Sequence, residues 1–193
     1  MAKKQYEFKP DKEGPDLLSR LYLTQKQRRN LLKWGLYSIV LVLLSVVQDV
    51  LLCQVRIFGS TTDLVPCAIF TICILEGAEK GAPFTLGAIL AYLFSGSTAG
   101  FHVVPIMTFL AIGVTVFRQS YLQKGFSATF LCTALAMLAY EMVVFFIAMM
   151  LGQTPPARWS VAFVCAVLSM LLTPVLYPIL ISIGKIGGET WKE

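Results

Sequence analysis

The stretch Leu36–Val47, LYSIVLVLLSVV, forms the heart of an apolar run from Leu31 to Leu52, with Gln48 and Asp49 close to its end. A helix rises about 1.5 Å per residue and the hydrocarbon core of a bilayer is about 30 Å thick, so a run of this length reaches from one interface to the other. It reads as a transmembrane helix. A cleaved signal peptide has a short basic region, an apolar core of about 7–15 residues and a small-residue cleavage site. Here thirty residues precede the run, and Gln48-Asp49 follows it without such a site.

Five further apolar runs follow: Leu64–Leu75, Pro83–Phe94, Val103–Phe117, Ala128–Leu151 and Trp159–Ile183. The polar, glycine-bearing stretch Glu76–Gly81 predicts a turn between the second and third, and Pro83 suits the first turn of the helix after it. Both of these runs are shorter than a comfortable span. Either they extend into their flanks, or they form a re-entrant pair buried by neighbouring protein, because lipid does not tolerate exposed backbone. Pro174 and Pro178 are expected to kink the sixth run. Hydrophobic residues make up 56% of the 193 and charged residues 14%, with a mean hydropathy of +0.72. An average soluble domain carries roughly 25% charged residues. The composition excludes a soluble globular enzyme and a disordered chain, and it predicts an all-α polytopic membrane protein of six transmembrane helices. The expected domains are a basic tail over 1–30, a membrane domain over 31–184 and a short tail over 185–193.

Charge sets the orientation. Sixteen Lys and Arg face eleven Asp and Glu, and nine of the sixteen fall in the first 33 residues. With six crossings, fourteen basic residues lie on the side of the termini and only Arg56 and Arg158 lie opposite. The positive-inside rule then places both termini in the cytoplasm; the expected location is the plasma membrane. Within the tail, Leu17, Leu18 and Leu21 share a helical face. The segment reads as a solvated tail with an interfacial helix, or as a docking segment for anionic lipid or a cytosolic partner. No aromatic stacking platform interleaves with the charge, so nucleic acid is not an expected partner.

Chemistry is sparse. The five cysteines (Cys53, Cys67, Cys73, Cys132 and Cys165) are odd in number and widely spaced, and they read as small core hydrophobes. With the single His102 they make no familiar metal spacing, so neither a metal site nor a cofactor is expected. Gly96-Ser97-Thr98-Ala99-Gly100 has threonine where a nucleophile elbow needs serine, and it reads as a small-residue loop. The sharpest feature is Glu141, midway along the fifth run beside Tyr140. An ionisable group at that depth costs on the order of 2.5–3.5 kcal/mol on insertion. It serves a partner, a substrate or a proton, or it is an interhelical tie bonded to Tyr140 or Ser169. No basic partner is expected for it, since Lys and Arg are read as lying outside the runs. Asp63 stands where a helix N-cap belongs, Gln48 and Asp49 read as helix-end groups, and Glu76 is expected to reach water at the cytoplasmic end. Gly87 and Ala91 form a small-x-x-x-small face for close helix approach.

Taken in order, Val47-Gln48-Asp49, Ile57-Phe58-Gly59, Asp63-Leu64, Leu75-Glu76-Gly77, Gly87-Ala88-Ile89-Leu90, Ser95–Gly100 and Tyr140-Glu141 resemble the rod-shape-determining MreD family of Gram-positive anaerobes. The resemblance spans about Leu31 to Ile183. Many members carry an aspartate late in the third span, where this chain has Ala91-Tyr92-Leu93, and a proline where it has Thr62; that departure favours scaffolding over proton or ligand handling. The resemblance implies a six-helix fold similar to the substrate-binding S component of energy-coupling-factor transporters. It also implies a place in the cell-wall elongation complex, in contact with an MreC-like protein and indirectly with MreB and the RodA–transpeptidase pair. The other reading is a vitamin- or small-ligand-binding S component, which needs an outward polar pocket; Asp49, Arg56, Asp63, His102 and Arg158 are the residues available to line one.

Overall fold

The computed structural model describes residues 25–55, 59–95, 100–122 and 125–186. Its long elements are all α-helices: α1 (Gln25–Val50), α2 (Leu64–Glu76), α3 (Ala78–Phe94), α4 (Val103–Tyr121), α5 (Phe126–Met150), α6 (Trp159–Met170) and α7 (Thr173–Ile186). Single 3-10 turns at Leu52–Gln54 and Pro156–Arg158 supplement them. Three helices, α1, α4 and α5, are long and apolar enough to cross a membrane, and the bent pair α6–α7 makes a fourth if counted as one span. The interfacial helix expected around Leu17, the loop residue Gly96 and the tail beyond Ile186 lie outside the described residues.

The short second run forms the centre of the bundle. α2 has 13 residues, and every one from Leu64 to Leu75 is buried. Thirteen residues rise only about 20 Å, short of a hydrocarbon core of about 30 Å, so the ends of this apolar helix need protein around them. Accordingly α2 packs against α3, α5, α7, α4 and α1. By contrast α1 turns a narrow stripe inward, with Lys33, Tyr37, Leu41 and Gln48 buried, and leaves Ile39, Val42 and Val46 more than half exposed on the outer face.

Local chemistry explains where the helices break. The predicted polar turn contracts to a single residue, Gly77, at φ 86° and ψ 163°, a conformation that is essentially glycine-only. Glu79, Lys80 and Gly81 belong to the first turns of α3, and Pro83 lies inside that helix rather than opening it. Gly81 allows the hairpin to close, because a Cβ there would stand 3.1 Å from the Cys73 carbonyl oxygen. The sixth run is two helices meeting at 43°. α6 stops at Met170, whose carbonyl would need the N–H that Pro174 lacks. Pro178, by contrast, sits within α7 without ending it.

Helix ends gather in two groups. Lys33 near the start of α1, Glu76 at the end of α2, Gln119 late in α4 and Gly184 late in α7 meet at one end of α2. Gln48 near the end of α1, Tyr92 late in α3, Cys165 and Ser169 in α6, and Asp63 at the start of α2 gather at the other. Gly77→Ala tests the hairpin. Its Cβ would meet Gln119 Nε2 at 2.7 Å, and its backbone would carry on the order of 1–3 kcal/mol of strain. The variant is expected to melt lower in detergent, read by labelling of buried cysteines with a thiol-reactive dye. Adding Gln119→Ala should recover only part of the loss, because it removes the clash and leaves the backbone strain.

Candidate functional site

Three elements carry polar side chains to one point beside the start of α2. Asp63 occupies the N-cap position, as the sequence predicts, but its carboxylate makes no capping bond. Gln48 takes over that role from α1: its Oε1 accepts the Val65 N–H at 2.8 Å. The Asp63 N–H in turn donates to Ser169 Oγ at 2.8 Å. Relieved of capping, the Asp63 carboxylate interacts with Glu141 of α5, and Cys165 of α6 completes the group. One donor atom from each of the three lies within 4.8 Å of the others. Glu141 is 92% buried and Cys165 equally so. The Cys165 thiol points to the Thr61 carbonyl at 3.0 Å and to Glu141 Oε1 at 3.4 Å.

This cluster lies against a cavity of about 560 Å³. Tyr92 and Tyr140 line it with the apolar Val144 and Phe145, and the exposed Gln153 and Arg158 lie at its edge. Volume and lining fall in the range of small-molecule sites. Of the pocket residues named from sequence, Asp63 and Arg158 line this cavity, Asp49 and His102 do not, and Arg56 lies outside the described residues. Glu141 meets Asp63 and Cys165 rather than the predicted Tyr140 or Ser169. Cys165 was legible only as a small hydrophobe, since residues 63, 141 and 165 share no local spacing and only the tertiary fold unites them.

The opposite end of α2 corrects two expectations. Glu76 does not reach water: its carboxylate is buried between Lys33 Nζ at 2.5 Å and the Tyr37 hydroxyl, which donates at 2.8 Å. The reading of every Lys and Arg as lying outside the runs fails for Lys33, which falls within Leu31–Leu52, and both Lys33 and Arg118, which follows the fourth run, are buried. Lys33 Nζ also stands 5.1 Å from the ring centre of Trp34, which stacks on Phe84 at 4.9 Å. Arg118 NH1 donates to the Ile74 carbonyl at 2.6 Å, satisfying an acceptor that the end of α2 leaves open. These contacts are architectural: each ends on a group of the chain itself.

Gly87 and Ala91 are exposed, and among the described residues a Cβ at Gly87 would meet nothing within 4 Å. They line a groove of about 680 Å³ between α1 and α3 together with Ser38, Ser45 and Asp49. Gly100 adopts φ 139° beside His102. No family model, curated protein or solved structure matches the chain.

Two stability outcomes follow. Lys33→Met strands the Glu76 carboxylate in the bundle and is expected to cost about 3–5 kcal/mol, seen as a lower melting temperature in detergent. Lys33→Met with Glu76→Gln should regain most of the loss, since the amide needs no cation and still accepts from Tyr37. Glu141→Gln is expected to melt at or above the parent temperature, because an amide beside Asp63 removes a like-charge contact; a large drop would show that Glu141 bears a structural charge.

Proposed function

We propose that this chain is a non-catalytic scaffold of the MreD type in the plasma membrane. It crosses six times with both termini in the cytoplasm, and it binds a single-span MreC-like protein within the cell-wall elongation complex. The observation that carries this reading is the open groove between α1 and α3. Helices associate in lipid by close packing at small residues, and Gly87, Ala91, Ser38 and Ser45 supply such a surface on a face that none of the described helices covers. α1 and α3 offer the groove to one more helix. The six-crossing count is supported by the alternation of helix ends between the two groups at either end of α2. The end holding Lys33 and Arg118 is then the cytoplasmic one, in keeping with the fourteen-to-two division of basic residues.

A second reading is favoured by the cavity beside Asp63 and Glu141, whose lining suits a small ligand as in an S component of an energy-coupling-factor transporter. The two readings separate by neighbouring genes: those for MreB and MreC accompany the first, and an ATPase pair or vitamin genes the second.

Co-purification from native membrane is expected to recover a single-span MreC-like protein. Gly87→Leu with Ala91→Leu should abolish that recovery while leaving the melting temperature unchanged, because neither position is packed within the chain. Depletion is expected to round the cells; rod shape maintained after complete loss, in a strain with no second copy, would overturn the proposal.

A further inference from the structure

The scaffold reading makes no use of the cavity, and the charges on its floor lack an evident counterpart. Asp63, half-buried at the start of α2, and Glu141, buried in the middle of α5, are brought together at the wall of the cavity. Among the described residues no ion pair reaches either carboxyl: Lys33 is taken up by Glu76, Arg118 binds the Ile74 carbonyl at the opposite end of α2, and Arg158, exposed at the cavity's edge, lies beyond ion-pair distance of both. Two carboxylates this close, one of them buried, repel each other unless a proton or a cation stands between them. The third member of the cluster decides which cation suits. Carboxylates alone fit hard cations such as magnesium or calcium, whereas a thiol selects a softer one.

The geometry points to a binding site for a single thiophilic divalent cation, Zn²⁺ in the first instance, ligated by Asp63, Glu141 and Cys165 and reached through the 560 Å³ cavity. Donors around tetrahedral zinc, with bonds of about 2.0–2.3 Å, stand roughly 3.3–3.8 Å apart. The present donor atoms lie within 4.8 Å of one another, so rotation of side chains closes the set without moving a helix. The surroundings hold these side chains in place. Ser169 Oγ fixes the Asp63 backbone at 2.8 Å, and the Thr61 carbonyl holds the Cys165 thiol at 3.0 Å. The fourth position faces the cavity, where water or a ligand group completes the coordination. Binding displaces the thiol proton, and any proton shared by the two carboxyls, into cavity water as the metal–sulfur and metal–oxygen bonds form. The inference does not depend on the scaffold reading and stands or falls separately from it.

The test uses the full chain purified in detergent and stripped of metal with a chelator. Titration with Cd²⁺ is expected to produce an ultraviolet sulfur-to-cadmium charge-transfer band that saturates at one ion per chain and is displaced by Zn²⁺. Cys165→Ser should abolish the band, while Cys53→Ser and Cys132→Ser retain it. Asp63→Asn and Glu141→Gln should each weaken binding by at least about tenfold. No band, a band that survives Cys165→Ser, or unchanged affinity in both carboxamide variants would overturn the proposal. Should Cys165→Ser fail to fold, the unaltered protein gives the answer. Zn²⁺ is expected to slow maleimide labelling of Cys165, followed by peptide mass spectrometry, while leaving the exposed Cys53 unaffected; equal rates with and without Zn²⁺ sink the idea.

Discussion

A 13-residue helix buried from Leu64 to Leu75 keeps its backbone end groups from water, and the architecture turns on how α2 meets that constraint. The first N–H groups and last carbonyls of any helix lack partners within it. At the start of α2, Gln48 of α1 accepts one N–H, and Ser169 of α6 accepts the N–H of the preceding Asp63. At the far end, Arg118 of α4 donates to the Ile74 carbonyl, while Lys33 and Tyr37 of α1 hold Glu76. α1, α4 and α6 thus each contribute a long or polar side chain to the backbone or end groups of one buried helix.

The middle of α2 is held by shorter contacts. Thr71 stands 3.4 Å from Thr133 of α5, Cys67 stands 3.4 Å from Thr173 of α7, and Thr115 of α4 donates to the Cys73 sulfur at 3.5 Å. Small polar side chains suit such crossings, because they bond across helices without forcing the backbones apart. The cysteines read from sequence as small hydrophobes therefore also serve as weak hydrogen-bonding partners, and in Cys165 this extends to the cavity.

Much of the fold was legible in the sequence, since every apolar run became helix. The break at Pro174 was legible too, because the cause is local: a missing N–H and a ring in the way of the Met170 carbonyl. What misled were residues whose partners lie far along the chain. Glu76 has the look of a solvated helix end until Lys33 and Tyr37, some forty positions earlier, enclose it. Asp63 has the look of a cap until Gln48 takes over the capping. The candidate site was half legible: Asp63 and Glu141 stood out by charge and depth, whereas Cys165 carried no local mark, and nothing short of the packed bundle joins positions 63, 141 and 165.

The remote capping of α2 bears on how the protein is made. A short helix whose last carbonyls wait for Arg118 and whose entry waits for Ser169 emerges from the ribosome well before either partner exists. Of the described helices only α1, with Gln48, Tyr37 and Lys33, precedes it. Biogenesis therefore requires α2 to be sheltered against α1, with α3 folded back on it through Gly77, until the later helices arrive. A lapse in that contact would leave both ends of α2 without the partners that Gln48, Lys33 and Tyr37 supply.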